Sequence, residues 1–281
     1  MYAGASWNDV RRLVRTGKVQ LRGATETDPA ARVEPGDEIE VRMRAPRRDA
    51  LPREALVYVD AEVVVADKPA GISTVPFDAK EQGTLDQQVR LALARREKRS
   101  GPPLGVVHRI DRPTSGLVVF ARTLRAKRHL EQQFRAHSIH RRYLALCHGE
   151  VQSGTLNSRL VADRGDGLRG STGNPRLGRL ATTHVRALEP LAGATLVECR
   201  LETGRTHQIR IQLSETGHPL LGERVYVRGY AGPLLDAPRL MLHAAELGFV
   251  HPSRGKQLSF ESALPGDMTG ILESLRGRMP D

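Results

Sequence analysis

Cysteine is scarce in this chain. The 281 residues include two, Cys147 and Cys199, set far apart and in no spacing that suits zinc or redox chemistry. Both sit in strand-like runs and read as small buried apolar side chains, which suits a reducing compartment. Long hydrophobic runs are also missing. None approaches the roughly 20 apolar residues that cross a bilayer, and the first residues hold no apolar core of signal-peptide type. The expectation is a cytoplasmic protein. Acidic residues are in deficit, 32 against 43 basic ones, for a net charge of +11, and that imbalance favours a polyanionic partner. Several catalytic signatures are absent as well. There is no Gly-x-Ser-x-Gly elbow, which removes the common serine hydrolase. There is no glycine-rich phosphate loop ending in Lys-Ser or Lys-Thr, so nucleotide hydrolysis has no support. The ten histidines include no pair at the helical spacing of a zinc protease, and no metal site is expected. No internal repeat is visible.

The length and the 39% hydrophobic content allow one large domain with a sizeable core, alone or with a small companion. Residues 1–45 read as a small module. Ser6 caps a helix bearing Val10, Leu13 and Val14 on one face, with Arg11, Arg12 and Arg15 elsewhere on it. Gly17 ends that helix, and residues 18–21 and 38–41 read as short strands, the second after a Gly36-Asp37 turn. Residues 46–56, rich in proline and charge, read as a linker. Residues 57–281 form the larger domain. Its pattern gives a strand over 62–66, helices over 84–98 and 124–137, and strands over 139–147, 183–187 and 194–201. Residues 152–180, rich in Gly, Ser and Arg, read as a loop or poorly ordered hairpin. The strands are short and lack regular βαβ spacing, so the expected class is α+β.

The residues that suggest chemistry begin at His108. The string His108 to Leu117, His-Arg-Ile-Asp-Arg-Pro-Thr-Ser-Gly-Leu, is polar and punctuated by Pro and Gly between two apolar runs. It reads as a loop held between strands. Its one carboxylate, Asp111, lies between Arg109 and Arg112. Neighbouring cations keep a carboxylate ionised and fix its direction; the plain alternative is a structural ion pair in a turn. Between Ala121 and Arg142 stand seven basic residues, Arg122, Arg125, Lys127, Arg128, Arg135, Arg141 and Arg142, against one acid, Glu131. Such a run is either a solvated helix face or a contact for a polyanion. Alternation along the following strand puts Ile139, Arg141, Tyr143, Ala145 and Cys147 on one face. Further on comes Thr203-Gly204-Arg205-Thr206-His207-Gln208-Ile209-Arg210, where Thr206, Ile209, Arg210 and Leu213 are expected to share a helix face.

The ten-residue string resembles the signature of the RluA-type pseudouridine synthases, His-Arg-Leu-Asp-x-x-Thr-Ser-Gly-Leu, with Ile110 in place of leucine. Lys68-Pro69-Ala70-Gly71 resembles the first motif of that family, and Thr203 to Arg210 its third. The pattern continues through Gly217 to Gly222, Leu242 to Ala244 and Phe249 to Pro252. The helix, strand, turn, strand order of residues 1–45 resembles the small RNA-binding domain named after ribosomal protein S-four. It looks truncated, since only Met1 to Ala5 precede the helix; an N-terminal cap on the main domain is the alternative.

The resemblance implies a pseudouridine synthase fold, with a central, mainly antiparallel mixed sheet flanked by helices and a cleft across it. It implies isomerisation of uridine to pseudouridine in RNA, with no cofactor and no metal. Asp111 is then the essential carboxylate, acting as a nucleophile or as a base on the ribose. Arg210 pairs with it, Tyr143 packs on the uracil, and Ile209 supplies an apolar floor. The target base must leave the RNA stack, and Arg109 is the candidate to fill the vacated space. His108, Arg205 and Lys68 complete the substrate-binding candidates. Phosphate contacts fall to Arg122, Arg125, Lys127, Arg128, Arg141 and Arg142, and in the small module to Arg11, Arg12 and Arg15. The expected RNA is large-subunit ribosomal RNA, with transfer RNA as the alternative, and the expected state is a monomer. A catalytically inactive RNA-binding relative is the rival reading. It would have lost Asp111, Tyr143 or Arg210, and all three are present.

Overall fold

Ser6 caps the first helix, α1 (Trp7–Arg15), by accepting a hydrogen bond from the Asp9 N–H, the favoured role of serine at that position. Three short strands follow, β1 (Val19–Leu21), β2 (Ala24–Glu26) and β3 (Ile39–Val41), in an antiparallel sheet of order β2-β1-β3. The sequence pattern missed β2. Leu21 pairs with Ala24 across Arg22 and Gly23, whose φ angles are 54° and 76°. Two positive-φ residues make the tight turn whose twist matches a hairpin. Asp37 holds Arg22 in place through a 2.5 Å ion pair.

This computed structural model describes residues 6–26, 29–43, 51–78, 81–98 and 103–278. By internal contacts the chain divides into two compact units, Met1–Arg53 with Gln87–Gly101, and Glu54–Asp86 with Pro102–Asp281. The first contains the small sheet, α1 and most of α2 (Leu85–Glu97). Residues 44–50, which include the first five of the eleven predicted linker residues, lie outside the described residues.

The second unit is built on an 11-stranded sheet. Its strands are β4 (Leu56–Val59), β5 (Val63–Lys68), β6 (Gly105–Val106), β7 (Ser115–Ala121), β8 (His140–His148), β9 (Gly154–Val161), β10 (Gly170–Ser171), β11 (Arg179–Leu191), β12 (Ala194–Leu201), β13 (Leu242–Val250) and β14 (Gln257–Glu261). Its helices are α3 (Leu124–Arg135), α4 (Gln208–Glu215) and α5 (Gly266–Arg276). The main path runs β10-β9-β11-β12-β8-β13-β7-β5-β4, with β14 paired to β13 and β6 to β7. Among the described residues β13 and β7 are the one parallel pair, so the sheet is mixed and mainly antiparallel. Predicted bounds hold for β12 and to within two residues for α3. Residues 152–180 depart from expectation: β9 and the start of β11 pair in register from Gly154 to Leu160, with β10 alongside.

Continuous apolar runs on β5 and β7 bury Val63, Val65, Leu117 and Val119 against Ala126 and Leu130 of α3 and Phe249 of β13. Helix α5 covers a second cluster through Met268, Leu272 and Leu275. Cys147 and Cys199 are buried free thiols, and burial pushes the Cys199 thiol up to about 12. Among the described residues no helix is long and apolar enough to cross a membrane.

One glycine decides how the centre of the sheet closes. Gly116 pairs with Ala244 across the parallel β7–β13 contact. Its φ is +112°, and a Cβ there would sit 2.3 Å from the Ala244 carbonyl oxygen. Only glycine permits that approach. Ala244 in turn pairs with Tyr143 on β8, so Gly116, Ala244 and Tyr143 stand on three adjacent strands. The loop carrying Asp111 ends where β7 begins, and this close packing brings it beside Tyr143.

Candidate active site

Lys68 ends β5 fully buried, and its ammonium donates to three backbone carbonyls, those of Pro69 at 3.0 Å, Ile72 at 2.8 Å and Arg112 at 3.1 Å. Three acceptors match the three N–H bonds of a lysine. Burial pulls its pKa down to about 7, against the nearby charge of Asp111. Around it the Lys-Pro-x-Gly turn and the Asp111 loop are laced together. The Gly71 N–H donates to the Arg112 carbonyl at 2.8 Å, and the Arg112 guanidinium donates to the Gly71 carbonyl at 2.9 Å. Thr74 donates to the Ile110 carbonyl at 2.9 Å, and its hydroxyl accepts from the Ile110 N–H at 3.2 Å. The backbone on both sides of Asp111 is therefore fixed. Replacing Lys68 with methionine keeps the volume but removes the shared donor of three part-buried carbonyls, of which, among the described residues, only that of Arg112 retains another partner, the Gly71 N–H. We expect Lys68→Met to lose about 2–4 kcal/mol of stability, measured by urea unfolding. Activity should fall at temperatures where the variant is still folded, because the Asp111 loop is released.

The Asp111 carboxylate has two cation-capable neighbours on or next to α4. Arg210 Nη1 lies 3.5 Å from Oδ2, and His207 Nε2 lies 3.9 Å from Oδ1. Neither is a close hydrogen bond. Arg210 faces one oxygen and the His207 ring the other, and both oxygens are left open. Arg210 finds its close partner elsewhere: Nε and Nη2 meet the two oxygens of Glu223 at 2.7 and 2.8 Å. That fork-to-fork pair is buried. Glu223 also accepts from the N–H groups of Arg224 and Val225 at 3.0 and 2.9 Å. Burial drives the Glu223 carboxyl up, but Arg210 and the backbone N–H groups of Val225 and Tyr226 outweigh it and hold it below the usual range. The expected Arg210–Asp111 pair is thus the looser of two, because one guanidinium has five donors to share.

Helix α4 also differs from its predicted face. It starts at Gln208, so Thr206 lies outside it, and residues 208–213 are all buried. A helix buried on every side has no single apolar stripe. Gln212 survives there because it donates to the Ala181 carbonyl and accepts from Thr183. Ile209 is buried at 4% exposure.

Tyr143 is buried at 8% exposure beside this group. Burial raises its phenol pKa, with Arg141 opposing the rise and Asp111 adding a smaller push upward. Arg141 shares that strand face and is also buried. It donates to the Glu202 carbonyl at 3.1 Å and lies over the Phe134 ring at 5.6 Å. Gly204 leaves room for this guanidinium: a Cβ there would meet Arg141 Nη1 at 2.5 Å and push the arginine tip aside. His108 stacks on Phe134 and accepts from the Val119 N–H at 3.0 Å. Burial pulls its pKa down to about 3, so it is a neutral post between loop and strand. His243 and His251 are likewise scaffold groups, bonded to Ser115 at 3.0 Å and to Asp60 at 2.6 Å.

The other candidate residues scatter more widely. Arg109 is exposed, and Arg205 donates to the Leu180 carbonyl at 3.2 Å. Arg125 pairs with Glu62, Lys127 lies 3.8 Å from Glu131, and Arg142 bridges Glu246 and Glu198. Arg122 donates to the Asp60 carbonyl, while Arg128 and Arg135 are exposed. In the small unit Arg12 pairs with Asp9 at 2.8 Å, and Arg11 lies over Trp7. The Arg15 side chain is outside the described residues. Sequence reading missed Glu223, Tyr226 and Thr74. The Gly217 to Gly222 stretch of the motif pattern ends one residue short of Glu223, and nothing local ties a carboxylate there to an arginine 13 residues earlier.

Residues 62–215 match the RNA pseudouridylate synthase family. The chain is 37% identical to ribosomal large subunit pseudouridine synthase D of Zymomonas mobilis, over 95% of this chain and 88% of that protein. It is 36% identical to the RNA pseudouridine synthase YlyB of Bacillus subtilis, over 96% and 90%. Its fold is similar to that of human RNA pseudouridylate synthase domain containing 4, with a TM-score of 0.66 at 22% identity, covering 82% of this chain and 97% of that one.

Proposed function

Because this chain belongs to the RNA pseudouridylate synthase family, we propose that it is an RluA-type enzyme converting specific uridines of large-subunit ribosomal RNA to pseudouridine. The reaction breaks the bond from C1′ to N1 and forms one from C1′ to C5. The proton lost from C5 is matched by one gained at N1, so composition is unchanged and no cofactor or external energy is required. The observation that carries this reading is Asp111, fixed in its loop by Lys68 and Thr74, faced by Arg210 and His207, with both oxygens open. Whether it attacks covalently or removes a ribose proton, an ionised and uncaptured carboxylate is what the step needs. Arg210 faces it, Tyr143 packs on the uracil, and Ile209 floors the pocket. Arg109, exposed in the same loop, fills the space of the flipped base. Arg128, Arg135 and their neighbours on α3 contact phosphates, and the net charge of +11 supports binding a polyanion. Residues 1–45 act as a reduced RNA-binding module of the S-four kind, joined through residues 46–56 to a catalytic domain of residues 57–281. The enzyme works as a monomer in the cytoplasm.

The substrate is tested by mapping pseudouridines in cells with and without the protein, and by incubating pure protein with ribosomal and transfer RNA transcripts. We expect one or a few large-subunit positions to lose pseudouridine in its absence and gain it in vitro. Sites confined to transfer RNA would move the substrate, and no product on any RNA would overturn the enzyme reading.

A further inference from the structure

His207 has a backbone conformation that is uncommon for a residue other than glycine. Its φ of 58° and ψ of 20° place it in the left-handed region, directly before α4. A non-glycine residue held there costs on the order of 1 kcal/mol or more and persists where its surroundings demand it. Two contacts define what the strain achieves. Nδ1 lies 2.6 Å from the Tyr226 hydroxyl, and Nε2 faces Asp111 Oδ1 at 3.9 Å. Tyr226 is itself fixed, with its ring under the Arg210 guanidinium at 5.2 Å.

The proton positions follow from the partners. An ionised carboxylate only accepts, so the imidazole nitrogen that faces it carries the hydrogen. Nδ1 is then the bare nitrogen and accepts from the Tyr226 hydroxyl. Burial lowers the His207 pKa, which keeps the ring in this neutral form. The result is one N–H, its tautomer set by Tyr226, aimed across a gap toward a carboxylate.

The width of the gap selects what fits in it. At 3.9 Å the two atoms are too far apart to bond. One oxygen set to the side reaches both at about 2.8–2.9 Å, the ordinary hydrogen-bond length. That oxygen must accept from Nε2–H and donate to Oδ1, and a hydroxyl does both. Resting on the reading that Asp111 works at the ribose of a target uridine, we infer that His207 and Tyr226 recognise the 2′-hydroxyl of that nucleotide. The pair then acts as a specificity-determining element for ribose over deoxyribose. The 2′-hydroxyl is the group by which a protein tells RNA from DNA.

The test compares single-turnover kcat/KM on two synthetic RNAs that differ only at the target, uridine in one and 2′-deoxyuridine in the other. For the unaltered protein we expect a ribose preference on the order of 100-fold, since two hydrogen bonds are lost, one of them to a charged group. His207→Asn tolerates the left-handed backbone but does not reach the gap. We expect it to shrink the preference about tenfold, the worth of one such bond. Tyr226→Phe frees the tautomer and should shrink it about threefold. His207→Gln, which restores an N–H near the Nε2 position, should recover part of the loss. The intrinsic effect of deoxyribose on the chemistry is common to all variants and cancels in the ratio. An equal preference in the unaltered protein, His207→Asn and Tyr226→Phe would overturn the inference, as would variants that slow both substrates alike. An unaltered protein that makes no pseudouridine even on the ribose substrate would instead overturn the functional reading beneath it. Circular dichroism and urea unfolding of each variant separate a folding defect from a change in discrimination. If His207→Asn does not fold, the ratio for Tyr226→Phe decides.

Discussion

Asp111→Asn should abolish pseudouridine formation, by roughly 10³–10⁴-fold or more in single-turnover rate, the scale of losing a positioned base or nucleophile. Asparagine has nearly the same size and still accepts a hydrogen bond, but it carries no charge to attack with or to take a proton. The structure also sets how little else should change. Removing the Asp111 charge does not leave Arg210 alone, because its bidentate partner is Glu223, at 2.7 and 2.8 Å. The lost contact is the longer one, at 3.5 Å, to a carboxylate that remains partly exposed. We therefore expect a stability change of no more than about 1 kcal/mol. RNA affinity should hold within a few-fold, since phosphate contacts and stacking do not use this carboxylate. Chemical labelling of pseudouridine, a binding isotherm and urea unfolding measure the three quantities. Near-normal turnover by the variant would remove Asp111 from the chemistry. Joint loss of fold and binding would make it a structural ion-pair partner.

Glu223→Gln should be the more damaging change to the protein as a whole. The Glu223 side chain has no solvent exposure, and it neutralises an arginine that is itself buried. Breaking such a pair from one side leaves a buried charge and costs about 3–5 kcal/mol. Arg210 then has one carboxylate left within reach. It is expected to close onto Asp111 and capture the oxygens that must stay open, so the rate falls even where the variant remains folded. Pairing the change with Arg210→Met separates the two effects. The double variant removes both charges, and we expect it to recover most of the lost stability, because an apolar replacement of a buried pair is often neutral or better. It should recover no activity, having lost the cation that faces Asp111. Urea midpoints and single-turnover rates for the three proteins check this. Full activity in Glu223→Gln would show that Arg210 does not depend on Glu223 for its position.

Much of the second unit was legible because its signals are local. A strand buried on both faces reads as an apolar run, and β5, β7 and β12 appear where those runs stand. In the first unit too, an N-cap lies within three residues of its partner, so Ser6 was identifiable at α1. Alternation put Arg141, Tyr143, Ala145 and Cys147 on one face of β8, and all four are buried. Where the signal was weak, the reading was weak. The hairpin of β9 and β11 is polar and glycine-rich, with many exposed side chains, so its order rests on backbone pairing that composition does not encode. The start of α4 was misplaced because His207 takes a left-handed conformation that no propensity predicts.

The sequence by itself determined the family, the α+β class, the loop that carries Asp111 and the residue types that stand beside it. These reside in contiguous strings, where side-chain chemistry and spacing are visible together. Tertiary structure alone decided the pairings. Arg210 meets Glu223 across 13 residues, His207 meets Tyr226 across 19, and Lys68 meets the Arg112 carbonyl across 44. Each depends on how loops close and on which polar groups become buried together. A buried donor or acceptor must find a partner or lose about 1–3 kcal/mol, and which partner it finds is settled by packing rather than by its neighbours in the chain.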